Sequence, residues 1–213
     1  MRLATHLSVQ YYAHLVRLGT DYGGYVLPDD LPQANWVCYS GGIGEDVSFE
    51  LELVSRYGCA VIGFDPTPQS IELMRRVVLE TPRIRFYPIG LWSSDTEQRF
   101  NAPSNPNHVS HSIADEAPVH GSFTAECRSV PSLMAELGHS RIDLLKLDVE
   151  GSEYEVLASI LEANVRVKIL LVEFHLAGHL ARATSMVDQL QAAGYHPVHV
   201  ESTNLTFVDA ALI

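Results

Sequence analysis

The folds open to this chain are limited most by one stretch. The apolar run Trp36-Val37-Cys38-Tyr39 leads into the turn Ser40-Gly41-Gly42-Ile43-Gly44, after which Val47, Leu51 and Val54 share one helical face. Strand, tight turn and helix in that order begin a βαβ unit, whose strands pair in parallel under a cover of helices. Glycine suits such a turn because the backbone must take positive φ and a ligand must approach with no Cβ in its path. A second apolar run, Ala60-Val61-Ile62-Gly63-Phe64, ends at Asp65-Pro66. An acidic side chain at that strand end can hold the two hydroxyls of a ribose. The pattern predicts an α/β fold that takes a nucleoside-bearing cofactor at these strand ends.

Charge separates the candidate cofactors. In a dinucleotide fold the helix after the glycine turn aims its free N–H groups and positive dipole end at a pyrophosphate. Here Glu45 and Asp46 open that helix. Their carboxylates would repel phosphate and suit an ammonium or a sulfonium, which favours S-adenosylmethionine over a nicotinamide dinucleotide. The same two residues also meet the ordinary preference for acids in a first helical turn. An NAD(P)-dependent oxidoreductase and a non-catalytic nucleoside-binding protein stand as the alternatives.

With 213 residues the chain fits one domain, read as an N-terminal helix and turn extension over 1–33 and a main domain over 34–213. A formal charge of −12 argues against a nucleic-acid partner, since phosphate-backbone binding needs Lys and Arg to displace counterions. Cys38, Cys59 and Cys127 form no CxxC pair and suggest neither a zinc knuckle nor a disulfide framework. No signal-peptide core follows Met1 and no apolar run approaches a membrane span, so a soluble cytoplasmic protein is expected.

Leu7, Tyr11, Leu15 and Leu18 at helical spacing before Gly19 predict a short amphipathic helix over 5–18. Asp21-Tyr22-Gly23-Gly24 then reads as a tight turn before a short strand. From Trp36 strands and helices alternate regularly. Thr67-Pro68 starts the second helix, and Ile84-Arg85-Phe86-Tyr87 is the third strand. Beyond Pro88 the regularity breaks, leaving a hairpin over 91–100 and a short helix over 130–137. Residues 101–122, rich in Pro, Asn, Ser and His, predict a lid on the substrate side, with His108 and His111 as its candidate contacts. The alternation resumes at Ile142, and the stretches 195–200 and 205–208 predict a terminal antiparallel hairpin.

Gly-Ile-Gly-Glu-Asp at 42–46, Phe-Asp-Pro-Thr-Pro at 64–68, Ile-Gly-Leu-Trp at 89–92 and above all Asp-Leu-Leu-Lys-Leu-Asp-Val-Glu-Gly-Ser-Glu at 143–153 resemble the FkbM family of S-adenosylmethionine-dependent methyltransferases. The resemblance runs from about residue 20 to the end. It implies a Rossmann-like class I methyltransferase, a mostly parallel seven-stranded sheet closed by an antiparallel hairpin, acting on a hydroxyl of a sugar or another small metabolite. Carried over by position, Ser40, Gly41, Gly42 and Gly44 would hold the methionine part of the cofactor, Asp65 with Pro66 the ribose, and Asp148 with Glu150 would face the reacting centre. Cys38, Tyr39 and Ser40 stand where many methyltransferases carry an acid, so the ammonium contact would pass to Asp46 or Glu45.

Methyl transfer to an alcohol needs an aligned oxygen and a base for its proton. Asp148 and Glu150 close one predicted strand and Glu173 and His175 the next, so all four are candidate catalytic residues for one pocket. Asp148, Glu173 and His175 would also suit magnesium or manganese, and His108 or His111 would extend the set towards a transition metal. No local spacing signature predicts a metal.

Overall fold

The computed structural model describes residues 7–101, 112–113, 121–176 and 180–212. Seven strands form the main sheet: β3 (Val37–Gly41), β4 (Ala60–Phe64), β5 (Ile84–Tyr87), β10 (Ile142–Leu147), β11 (Val167–Glu173), β12 (Tyr195–Glu201) and β13 (Asn204–Asp209). Their order is β12-β13-β11-β10-β3-β4-β5. The first five in sequence pair in parallel, while β13 runs antiparallel to both β11 and β12. This is the expected doubly wound sheet with its terminal hairpin.

Alternation along each strand divides the core in two. Tyr39, Leu145, Leu147, Leu170 and Val172 pack on one face under α3 (Val130–Leu137), α4 (Glu153–Glu162) and α5 (Leu180–Ala192). Cys38, Leu144, Ile169 and Leu171 pack on the other under α1 (Ser48–Tyr57) and α2 (Pro68–Glu80), through Phe49, Leu53 and Met74. Cys38, Cys59 and Cys127 are free and buried.

The expected N-terminal helix is not there. Leu15–Leu18 is a strand, β1, paired antiparallel with β2 (Tyr25–Pro28). The helical spacing misled because Tyr11 is 86% exposed and belongs to no buried stripe, whereas Leu18, Tyr25 and Leu27 are buried against the α1 side of the sheet. This hairpin shares the core of the α1 face, and Thr206 in β13 donates to the Val26 carbonyl.

The hairpin expected over 91–100 also differs. β6 (Gly90–Trp92) and β7 (Thr96–Asn101) do not pair with each other; β9 (Phe123–Ser129) lies between them, parallel to β6 and antiparallel to β7. Sequence adjacency suggests the nearer partner, and although Phe123, Ala125 and Cys127 alternate with polar residues as in a half-buried strand, alternation does not say which strand this one pairs with. The short helix at 130–137 is present as α3, capped by the Ser129 hydroxyl on the Ser132 N–H. Of the lid stretch 101–122, most residues, His108 and His111 included, lie outside the described residues; Ser112–Ile113 form β8 beside Phe100 and Asn101. No helix among the described residues is long and apolar enough to cross a membrane.

Candidate active site

Strand order reverses between β3 and β10, and open α/β sheets bind ligands outside the strand ends at such a point. A cleft of about 380 Å³ opens there, lined by the turn after β3, by Asp65 to Thr67 after β4, by Asp148 to Glu150 after β10, and by Glu173 and His175 after β11. That volume is in the range of small-molecule sites.

Gly42 and Gly44 hold φ of 77° and 61°, so the turn does need glycine. Its N–H groups point inward. Gly42 donates to the Phe64 carbonyl at 2.9 Å, and Ile43 and Gly44 donate to Asp65 Oδ2 at 2.8 and 3.0 Å. Asp65 Oδ1 accepts from the Thr67 N–H at 2.8 Å and from the Thr67 hydroxyl at 2.6 Å. A carboxylate has about four lone-pair positions, and all are used here within the chain. Asp65 therefore helps to build the turn, its short side chain spanning from β4 to the neighbouring loop, and a ribose there would have to share or displace one of these bonds. Asp65→Ala is expected to lower stability without ligand by about 2–4 kcal/mol, because it orphans several buried donors. Thermal unfolding of the ligand-free variant checks this. An unchanged midpoint with weakened cofactor binding would return Asp65 to the ribose.

Ser40 and Gly41 do not line the cleft. β3 continues through Gly41, and alternation turns Ser40 into the α1 face, where its hydroxyl donates to Glu50 Oε1 at 2.6 Å. Beneath the turn, Lys146 Nζ donates to the Gly42 carbonyl at 2.6 Å and lies 3.6 Å from Glu50, with the Tyr25 ring centroid at 5.3 Å. Asp46 does line the cleft, and it accepts from the Ser48 N–H at 2.8 Å and from the Thr20 hydroxyl. Burial pushes its carboxyl up, but these bonds outweigh it and hold the group below its usual range. Pro66 stands on the rim beside Asp65.

The four expected catalytic candidates do converge. Ligand-type atoms of Asp148, Glu173 and His175 lie within 4.8 Å of one another. Glu150 sits in the left-handed region, at φ 50°, with Oε2 at 3.1 Å from His175 Nε2. Glu153, fully buried, accepts from the Gly151 N–H and the His175 N–H, each at 2.8 Å, and Oε2 lies 3.6 Å from His175 Nδ1. Burial, and next the charge of Asp148, push the Glu173 carboxyl up to about 7. For His175 burial works downward, but the bond to Glu153 and the charges of Glu150 and Glu153 prevail and raise it to about 9. The direction favours a charged imidazole, with Glu150 and Glu153 as its partners.

Lys146 and Glu153, both within the motif at 143–153, were given no role by the sequence reading. A lysine inside the apolar strand Ile-Asp-Leu-Leu-Lys-Leu was the available signal for Lys146, since charge on a doubly buried strand needs a partner. Glu153 reads as a first-turn acid of α4.

Comparison with known proteins agrees with this fold. A model of the methyltransferase FkbM domain matches residues 39–197. Two curated relatives named "Probable methyltransferase-like protein 24", from Rattus norvegicus and Homo sapiens, are 30% and 28% identical over 141 residues. The match covers 65% of this chain and 32% of theirs, so the chain spans about a third of the length of these relatives. Among solved structures, the methyltransferase FkbM of Methylobacillus flagellatus KT superposes with a TM-score of 0.52 at 15% identity, over 82% of this chain and 44% of that one, and shares the fold.

Proposed function

The chain belongs to the FkbM methyltransferase family, and on that premise we propose that it transfers the methyl group of S-adenosylmethionine to a hydroxyl oxygen of a sugar or another small polyhydroxylated acceptor. One observation supports the cofactor above the rest. The N–H groups of the glycine turn are committed inward, to Phe64 and Asp65, so they offer no cradle to a pyrophosphate, while Glu45 and Asp46 stand on the cleft wall. A ligand ending in an ammonium and a sulfonium meets attraction there, and a dinucleotide meets repulsion. Room exists as well: a Cβ added at Gly44 would touch nothing within 4 Å.

When bound, the cofactor supplies an electrophilic methyl carbon, which joins the acceptor oxygen as the carbon–sulfur bond breaks and leaves its electron pair on sulfur. Glu45 and Asp46 would hold the ammonium end. With Asp65 committed to the turn, Gln69, which lines the cleft at the start of α2, would take the ribose. Asp148, Glu150 and Glu173 would accept hydrogen bonds from the acceptor, and a carboxylate among them would take the proton that its oxygen loses. His175, held by Glu150 and Glu153, would offset the negative charge gathered there. The stretch 101–122 would cover the acceptor, with His108 and His111 as contacts.

Calorimetric titration with S-adenosylhomocysteine, with NADH in parallel, tests the reading. One S-adenosylhomocysteine per chain at micromolar affinity is expected, and no NADH. Binding of NADH alone would replace methyl transfer by hydride transfer.

A further inference from the structure

Asp148 and Glu173 put two carboxylates at one end of the cleft, with oxygens and a His175 ring nitrogen all within 4.8 Å. Like charges this close in a partly desolvated cleft repel unless a cation or a proton stands between them. A second feature lies underneath. Tyr25 is 3% exposed, and its hydroxyl, with no partner at full hydrogen-bond geometry, lies towards Asp148, whose charge with that of Glu173 adds to burial in holding the phenol protonated. Asn204, which pairs in register with Glu173 and lines the same cleft, likewise has a buried amide oxygen without a partner.

We propose that Asp148, Glu173 and His175 form a binding site for one divalent cation of the magnesium–manganese class, at the β10–β11 end of the cleft. Two carboxylate oxygens and one imidazole are hard and borderline donors of the kind these ions take, and the histidine favours manganese over magnesium. The surroundings fit. With His175 Nε2 turned to the ion and its proton released to solvent, Nδ1, 3.6 Å from the buried Glu153 carboxylate and without a hydrogen-bond partner, would close on that carboxylate as the outer contact of a metal-bound imidazole. Glu150 Oε2 is 3.1 Å from Nε2, and adjacent donors on an octahedral ion of this class stand about 3 Å apart, so Glu150 can join as a fourth ligand. The Tyr25 hydroxyl would donate to Asp148 as a liganding carboxylate, and the Asn204 amide oxygen, which lines the same cleft without a partner, would accept from a water on the ion.

The consequence for substrate rests on the methyl-transfer reading. Positions on the ion not taken by the chain would open to the cleft and would hold an acceptor through two adjacent hydroxyl oxygens, which would make the class of acceptor a vicinal diol.

The test uses the purified chain after chelation. Mn²⁺ alone is titrated, with and without S-adenosylhomocysteine, and binding is followed by loss of the free-ion electron paramagnetic resonance signal. One saturable Mn²⁺ per chain is expected, weakened at least tenfold by Glu173→Gln and by His175→Ala. Tyr25→Phe keeps the ring and the packing, and is expected to weaken binding about tenfold, as for other outer contacts. Glu72→Gln, on the exposed face of α2, is expected to leave it unchanged. Thermal melts confirm folding of each variant. Absence of a saturable site in both conditions, or a folded Glu173→Gln that binds like the parent, would overturn the site. S-adenosylhomocysteine binding without Mn²⁺ binding removes the metal and leaves the methyl-transfer reading. Mn²⁺ binding without S-adenosylhomocysteine binding does the reverse.

Discussion

Gly42→Ala is expected to cost about 3–6 kcal/mol, enough to consume much of the stability of an ordinary domain. Two effects add. Gly42 holds φ of 77°, which an alanine adopts only under strain. Its Cβ would also lie 1.7 Å from the Asp148 carbonyl oxygen, a backbone atom that cannot rotate away. Relief would require the β3 and β10 strand ends to part, although the Asp148 N–H is bonded to the Gly41 carbonyl at 3.0 Å. Gly44→Ala supplies the control, because Gly44 has a similar φ of 61° but no atom within 4 Å of its Cβ. Only the conformational cost of about 1–2 kcal/mol is expected there. Urea unfolding followed by circular dichroism separates the two variants. Equal losses would mean that the approach of the two strand ends is not what demands glycine at 42.

That contrast explains what could be read from the sequence. The strand, turn and helix order, the acid at the end of β4 and the terminal hairpin all rest on local periodicity and punctuation, and the structure has them in place. Local signals also brought Asp148, Glu150, Glu173 and His175 to one cleft, since residues ending neighbouring parallel strands converge wherever the sheet is drawn. What failed was partner choice. Asp65 sits where a ribose acceptor sits, but a side chain's free lone pairs depend on the loop across from it. The four-residue strand β1 looked helical because its apolar spacing was counted without knowing that Tyr11 faces solvent. Glu153 had no sequence signal as the clamp on His175, because its two backbone contacts come from different loops.

Lys146→Met is the second large effect, at about 3–5 kcal/mol, and it acts from beneath the same turn. Lys146 is 3% exposed and Glu50 is fully buried, so each charge depends on the other and on the polar atoms around them. Glu50 Oε1 has the Ser40 hydroxyl, but Oε2 has no hydrogen-bond partner. Loss of the ammonium would therefore leave a buried carboxylate with one neutral donor, and the Gly42 carbonyl would lose its charged partner at 2.6 Å. The methionine fills similar volume, so the loss is electrostatic and not a cavity. Glu50→Gln in the Lys146→Met background removes the orphaned charge and is expected to restore a large part of the stability. A double variant as unstable as the sum of the singles would show that the pair is not coupled. Because Lys146 grips the carbonyl of the turn residue that meets β10 and itself lines the cleft, a folded Lys146→Met chain is also expected to bind S-adenosylhomocysteine more weakly.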